Sequence, residues 1–151
     1  MNIVKNVFQF DIVYVYFLEP IKNNIMSDCK FIRILYSTPQ ITFNGIYLNI
    51  VFDNMIIEKY FNKYKCKFDT NIYKDIIEQI KQIEHAILNK MVVPNKEPSY
   101  KIYNIIKTGN IKFLFNDSNE TDFAFILKIS GIWETDTQYG LTYKFIKCNN
   151  K

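Results

Sequence analysis

The sequence predicts a mainly β domain of the α+β class, with a helical segment inserted before its C-terminal strands. Apolar and polar residues alternate over Val7–Phe17 and over Phe123–Trp133, as they do in half-buried strands. Asn44-Gly45 is typical of a tight turn between two strands. From Ile72 to Ile87, isoleucines recur at steps of three and four, which indicates one stripe of a helix.

Strands are predicted throughout the N-terminal third. Val7–Phe17 is the first, and Pro20 follows it. Lys30–Tyr36 is the second, ended by Ser37-Thr38-Pro39. Asn44-Gly45 predicts a hairpin because both positions of such a turn favour positive φ, and a strand then runs from residue 46 to about residue 57.

Helical spacing replaces alternation from residue 70 onward. Asp69 or Thr70 is the predicted N-cap of the isoleucine-striped helix. Ser99 is expected to cap a shorter helix from residue 100 to residue 108, which Gly109 ends. The predicted C-terminal strands are Ile111–Phe115, Phe123–Trp133 and Leu141–Lys147.

The order of strands, helical insert and further strands matches an OB-like barrel, whose helix lies between the third and fourth strands. A twisted antiparallel sheet of about five or six strands, an α+β sandwich and a small jelly-roll-like fold remain alternatives. The length predicts one domain over residues 1–147, followed by a short C-terminal tail at 148–151.

Composition narrows the class of protein. The cysteines Cys29, Cys66 and Cys148 are far apart and form no Cys-x-x-Cys pair, so neither a disulfide framework nor a zinc site is expected. No apolar stretch is long enough for a membrane span, so we expect a cytoplasmic or nuclear protein that does not contact membranes. Most of the thirteen Phe are expected in the core, whereas the eleven Tyr leave room for a further role.

No combination of residues predicts catalysis. The single histidine, His85, is expected on the solvated side of the helix, and the chain has no Gly-rich phosphate loop and no G-x-S-x-G motif. Glu134 and Asp136 lack a third ligand nearby in the sequence and are interpreted as polar turn residues. We therefore expect a protein without enzymatic activity, metal or cofactor.

Positive charge concentrates in the middle third. Residues 56–108 hold ten basic and six acidic side chains, whereas residues 1–55 hold four of each and residues 109–151 five of each. Within this third, residues 59–68 interleave lysines with aromatic residues, which is the composition of sites that bind phosphates and stack bases. The alternative is an edge strand whose aromatic side chains pack inward and whose lysines are solvated.

The expected partner is single-stranded DNA or RNA, bound by this segment together with cations and an indole on other strands. The predicted nucleic-acid-binding residues are Lys59, Tyr60, Lys63, Tyr64, Lys65, Lys67, Arg33, Lys128, Trp133 and Lys144. For Trp133, a structural role at the end of the sheet is the alternative. The alternative function is a non-enzymatic structural or interaction protein of an assembly, which predicts an exposed apolar patch and self-association.

Three segments, Lys30–Pro39, Phe43–Tyr47 and Trp133–Phe145, resemble parts of small proteins from large nucleocytoplasmic DNA viruses. The abundance of Lys, Asn and Ile agrees with an AT-rich source of that kind. Some of these viruses carry OB-like single-stranded DNA-binding proteins. The resemblance thus implies a role in viral DNA replication or maintenance, or in a viral particle, with viral proteins as further partners.

Overall fold

The computed structural model describes residues 5–22, 29–52, 55–60, 63–114 and 123–149. It is mainly β, with 48% strand and 25% helix, which confirms the predicted α+β class. The strands are β1 Lys5–Asn6, β2 Val15–Phe17, β3 Ile21–Lys22, β4 Lys30–Ser37, β5 Thr42–Phe43, β6 Ile46–Val51, β7 Met55–Tyr60, β8 Lys63–Phe68, β9 Glu97–Ser99, β10 Asn110–Leu114, β11 Phe123–Glu134 and β12 Gln138–Asn149. The helices are α1 Lys74–Lys90 and α2 Lys101–Ile106. Neither is long and apolar enough to cross a membrane.

A curled half-barrel forms the main sheet, consistent with an OB-like fold. Its strand order is β1-β6-β11-β12-β9, and β4, which carries β2, β3 and β5, pairs with the second half of β11. The sheet is mixed, because β1 runs parallel to β6 and β9 runs parallel to β12. The alternative of a purely antiparallel sheet is therefore wrong.

A second, small sheet has the order β10-β8-β7 and is antiparallel. Its inward side chains join the core of the main sheet through Phe52, which follows β6. The Phe52 ring stacks on Phe68 of β8 at a centroid distance of 4.3 Å and lies 6.4 Å from Phe125 of β11. The inward faces of both sheets thus share one hydrophobic cluster.

Helix α1 covers most of the segment that the isoleucine spacing predicts, but it begins at Lys74, so Ile72 precedes it and is exposed. Its inward stripe is buried, and burial of each such side chain contributes roughly 1.5–3 kcal/mol. The predicted caps are wrong: Asp69 Oδ1 accepts instead from the backbone N–H of Asn71, and Ser99 belongs to β9. Gly109, at a φ of +76°, ends the turn after α2 as predicted.

The predicted strand Val7–Phe17 is largely wrong. Two short 3-10 turns, Val7–Gln9 and Ile12–Tyr14, precede the three residues of β2. Asn6 Oδ1 accepts from the N–H of Phe8, and Asp11 Oδ1 accepts from the N–H of Val13. These side chains compete with a strand ladder for the backbone donors.

The Asn44-Gly45 turn exists but does not close a hairpin. Gly45 has a φ of +110°, yet β5 pairs with β4, whereas β6 pairs with β1 and β11. The turn is a corner that passes the chain to a different strand pair. At the other end of the chain, β12 continues to Asn149, two residues beyond the predicted strand end at Lys147, while residues 150–151 lie outside the described ranges.

Candidate nucleic-acid interface

The sequence-predicted binding residues divide between the two sheets. Arg33, Lys128, Lys144 and Trp133 lie on strands β4, β11 and β12 of the main sheet. The others lie on the small sheet: Lys63, Tyr64, Lys65 and Lys67 on β8, and Lys59 and Tyr60 at the end of β7. The side chains of Lys59 and Tyr60 are outside the part of the chain that the structure describes. The predicted residues therefore do not form one surface.

The basic-aromatic segment packs its aromatic side chains inward. Tyr64 is only 8% exposed and lies in the core with Cys66 and Phe68. Because side chains alternate along a strand, Lys63, Lys65 and Lys67 lie on the opposite, outward face. The prediction that Tyr64 stacks on bases is therefore wrong, and the alternative of inward aromatic packing is confirmed for these residues. β8 is, however, the central strand of its sheet rather than an edge.

The outward face of the main sheet collects the other predicted residues. Along β11, Phe125 and Leu127 are fully buried, and Lys128 faces outward between buried neighbours. A register shift between Ile129 and Gly131 moves the alternation of side chains along by one residue. Ile132 is therefore buried, and Trp133 faces outward. Side chains opposite these positions on β4, β6 and β12 share the same face. We define the main-sheet face as Phe31, Arg33, Tyr47, Lys128, Trp133 and Lys144.

No carboxylate faces outward within β4, β6, β11 and β12. Glu134 is the one acidic residue of these four strands, and it is buried on the inward side, where its Oε1 pairs with Lys96 Nζ at 2.6 Å. Lys128 and Lys144 lie directly opposite each other on β11 and β12. Since like charges in directly opposed positions destabilise a sheet, this pair favours a surface that binds anions.

Aromatic rings lie beside these cations. Tyr47 is directly opposite Lys128, whose Nζ lies 5.5 Å from the centre of the tyrosine ring. Phe31 is directly opposite Trp133. A Cβ added at Gly131 would lie 2.6 Å from Phe31 Cζ, so the phenyl ring occupies the space that a side chain at this position would need. All three rings are half-buried and keep part of their surface open to solvent.

No protein-family model, curated protein or solved structure matches this chain. Of the main-sheet face, Phe31 is missed by the sequence prediction, whereas Tyr47 is one of the strand tyrosines that the sequence offers as ring surface if their side of the strand is exposed. Both lie at outward positions of alternating strands, but their placement beside Trp133 and Lys128 depends on strand register.

Helix α2 adds a further cation next to Trp133. Lys101 Nζ lies over the indole, 4.7 Å from the ring centre, and the indole also packs against Gly140. This packing supports the alternative, structural role for Trp133. Buried Glu84 of α1 fixes the start of α2, because its carboxylate accepts from the N–H groups of Ile102 at 3.0 Å and Tyr103 at 2.9 Å. Burial raises the pKa of this carboxyl.

Proposed function

We propose that the protein binds single-stranded nucleic acid, DNA or RNA, across the main-sheet face. The observation that carries the proposal is an outward face without carboxylates in which Arg33, Lys128 and Lys144 lie among aromatic rings. Cations of this kind neutralise phosphates and release counterions, and aromatic rings stack on bases that are not paired. The OB-like fold supports the proposal because such folds bind oligonucleotides on a sheet surface.

The cations and the aromatic rings of the face have different roles in this proposal. Lys128 and Lys144 contact phosphates, and their mutual repulsion is relieved when an anion is bound. Tyr47 and Phe31 provide ring surface for bases. Lys128 and Trp133 are separated along β11 by roughly 16 Å at ~3.3 Å per residue, enough for an oligonucleotide to contact both ends of the face.

The test compares binding of a fluorescent single-stranded oligonucleotide and of its duplex by anisotropy. Tyr47→Leu is expected to weaken single-strand binding by roughly 5- to 100-fold, since a stacked base contributes about 1–3 kcal/mol. Tyr103→Leu, which removes a half-buried ring of α2 outside the face, is the matched control. Emission of Trp133, the single tryptophan, should change on binding. Equal affinity for single strand and duplex, or equal affinity of both variants, would contradict the proposal.

We further propose that this binding serves viral DNA replication or maintenance within a host cell, which is the role that the resemblance to proteins of large nucleocytoplasmic DNA viruses implies. This assignment is part of the same proposal. It predicts that the protein binds DNA at least as tightly as RNA of the same sequence. Competition between the two oligonucleotides in the anisotropy assay measures that preference, and a clear preference for RNA would contradict the viral DNA role.

A second function, assembly with other proteins, is favoured by apolar side chains at the N-terminal end of the fold. Five of them are at least two-fifths exposed: Phe8, Val13, Tyr16, Leu18 and Ile21. Exposed apolar groups of this kind mark interaction surfaces when they form one patch. Light scattering across a range of protein concentrations tests this function. If the protein is monomeric at every concentration, self-association is refuted.

A further inference from the structure

A second group of cations lies on the outward side of the small sheet. We define the small-sheet face as Lys63, Lys65 and Lys67 of β8, Lys112 of β10 and Glu58 of β7. Lys65 lies directly opposite Glu58 on one side and directly opposite Lys112 on the other. The face therefore holds four lysines and one carboxylate.

The one carboxylate of this face is already engaged by a different lysine. Glu58 Oε1 accepts from Lys67 Nζ at 3.0 Å, and both side chains are more than two-fifths exposed. Among the described residues, neither Lys65 nor Lys112 forms an ion pair. Two like charges thus remain directly opposed, as Lys128 and Lys144 do on the main-sheet face, and such a pair costs stability unless an anion is bound.

The outward side of β8 carries lysines, because the aromatic side chains of this strand lie on its other side. Tyr64 and Phe68 of β8 point into the core. Its lysines can neutralise phosphates but offer no surface on which a base could stack. Contact of that kind depends on the charge of the backbone and is indifferent to whether the bases are paired.

The two faces point away from each other. The inward sides of the sheets meet in one hydrophobic cluster, where Phe52 lies against both Phe68 and Phe125. Two sheets that share a core between their inward sides turn their outward sides in different directions. A short strand bound on the main-sheet face therefore leaves the small-sheet face open to solvent and to a second polyanion.

We propose that the small-sheet face is a second, phosphate-binding surface, so that one protein molecule bridges two nucleic-acid segments. This inference rests on the proposed binding of single strands by the main-sheet face. The second segment is single-stranded or duplex, because the lysines contact its phosphates, which both forms present. Bridging would hold a single strand close to neighbouring duplex.

The experiment immobilises a single-stranded oligonucleotide on beads, saturates it with protein, washes, and then adds a fluorescent duplex of unrelated sequence. Wild type is expected to retain the duplex. A triple variant, Lys63→Gln, Lys65→Gln and Lys112→Gln, is expected to bind the bead oligonucleotide within about two-fold of wild type, since exposed charges on another face are screened by solvent. Its duplex retention is expected to fall at least about ten-fold, because the lysines that contact the duplex phosphates are removed. The matched helix-lysine control removes Lys74 and Lys81 of α1 and Lys107, which directly follows α2 (Lys74→Gln, Lys81→Gln and Lys107→Gln), and should retain the duplex.

Each outcome separates the two proposals. If wild type binds the bead oligonucleotide but retains no duplex, bridging is refuted and the main-sheet function stands. Equal retention by wild type and the small-sheet triple variant also refutes bridging. If duplex retention disappears at protein concentrations where light scattering shows a monomer, then dimers bridge the two segments. That result overturns the inference that one molecule does so. Failure of wild type to bind the bead oligonucleotide refutes the proposed function itself.

Discussion

Glu84→Ala should destabilise the fold more than its single carboxylate suggests. The Glu84 side chain is 1% exposed and accepts from two backbone N–H groups at the start of α2. Each buried donor left without an acceptor costs about 1–3 kcal/mol, which gives roughly 2–6 kcal/mol for the pair. Removing a buried charge offsets part of that loss, so we expect a net decrease of about 2–3 kcal/mol in the free energy of unfolding.

Chemical and thermal denaturation measure this loss. A decrease of about 2–3 kcal/mol corresponds to a fall of roughly 4–12 °C in Tm for a chain of this size. Glu78→Ala, at an exposed position of the same helix, is the matched control and should change stability by less than about 0.5 kcal/mol. Because Glu84 also fixes α2, from which Lys101 reaches Trp133, the Trp133 emission of folded Glu84→Ala should shift. Equal stabilities of Glu84→Ala and Glu78→Ala would refute the capping role.

Three further predictions concern the same region and its glycines. Burial raises the pKa of Glu84, so the folded state binds its proton more tightly than the unfolded state. The free energy of unfolding of wild type relative to Glu84→Gln should therefore fall as pH rises through that raised pKa. Denaturant titrations measure this difference, and an increase with pH would contradict the prediction. Gly140→Ala places a Cβ 2.7 Å from Trp133 Cζ2, and should shift the tryptophan emission and cost about 1–3 kcal/mol in denaturation. Gly109→Ala, at a φ of +76°, should cost at least about 1–2 kcal/mol, and an unchanged denaturation midpoint would show that the turn relaxes.

Local patterns predict the parts of the fold that local interactions determine. The alternation of Phe123–Trp133 and the isoleucine stripe of α1 both follow from the burial of one face, so β11 and most of α1 lie where the sequence predicts them. The N-terminal segment has the same alternation, yet the side chains of Asn6 and Asp11 hydrogen-bond to the backbone and produce 3-10 turns. At Asn44-Gly45 the turn is a local property, whereas the strand that pairs with β6 is determined by distant β11.

Part of the candidate site is likewise predictable from local sequence, and part depends on contacts between distant residues. Lys128 and Lys144 are identifiable in the sequence as cations on strands, but only the register of β11 and β12 places them opposite each other. The position of Lys101 over Trp133 depends on Glu84, which is 18 residues or more from the backbone groups it binds. Tyr64 lies in a segment whose composition is typical of base-stacking sites, but its side chain is buried in the core. The alternation of side chains along β8 determines that it faces inward.

The salt dependence of single-strand binding tests the main-sheet face most directly. For single strands, log K falls with log salt by about 0.7 for each phosphate that a cation neutralises. A variant with Arg33→Gln, Lys128→Gln and Lys144→Gln should therefore show a slope smaller by about 2 than wild type, while the helix-lysine control keeps the wild-type slope. No binding by wild type at low salt, or equal slopes for wild type and the main-sheet variant, would contradict nucleic-acid binding at this face.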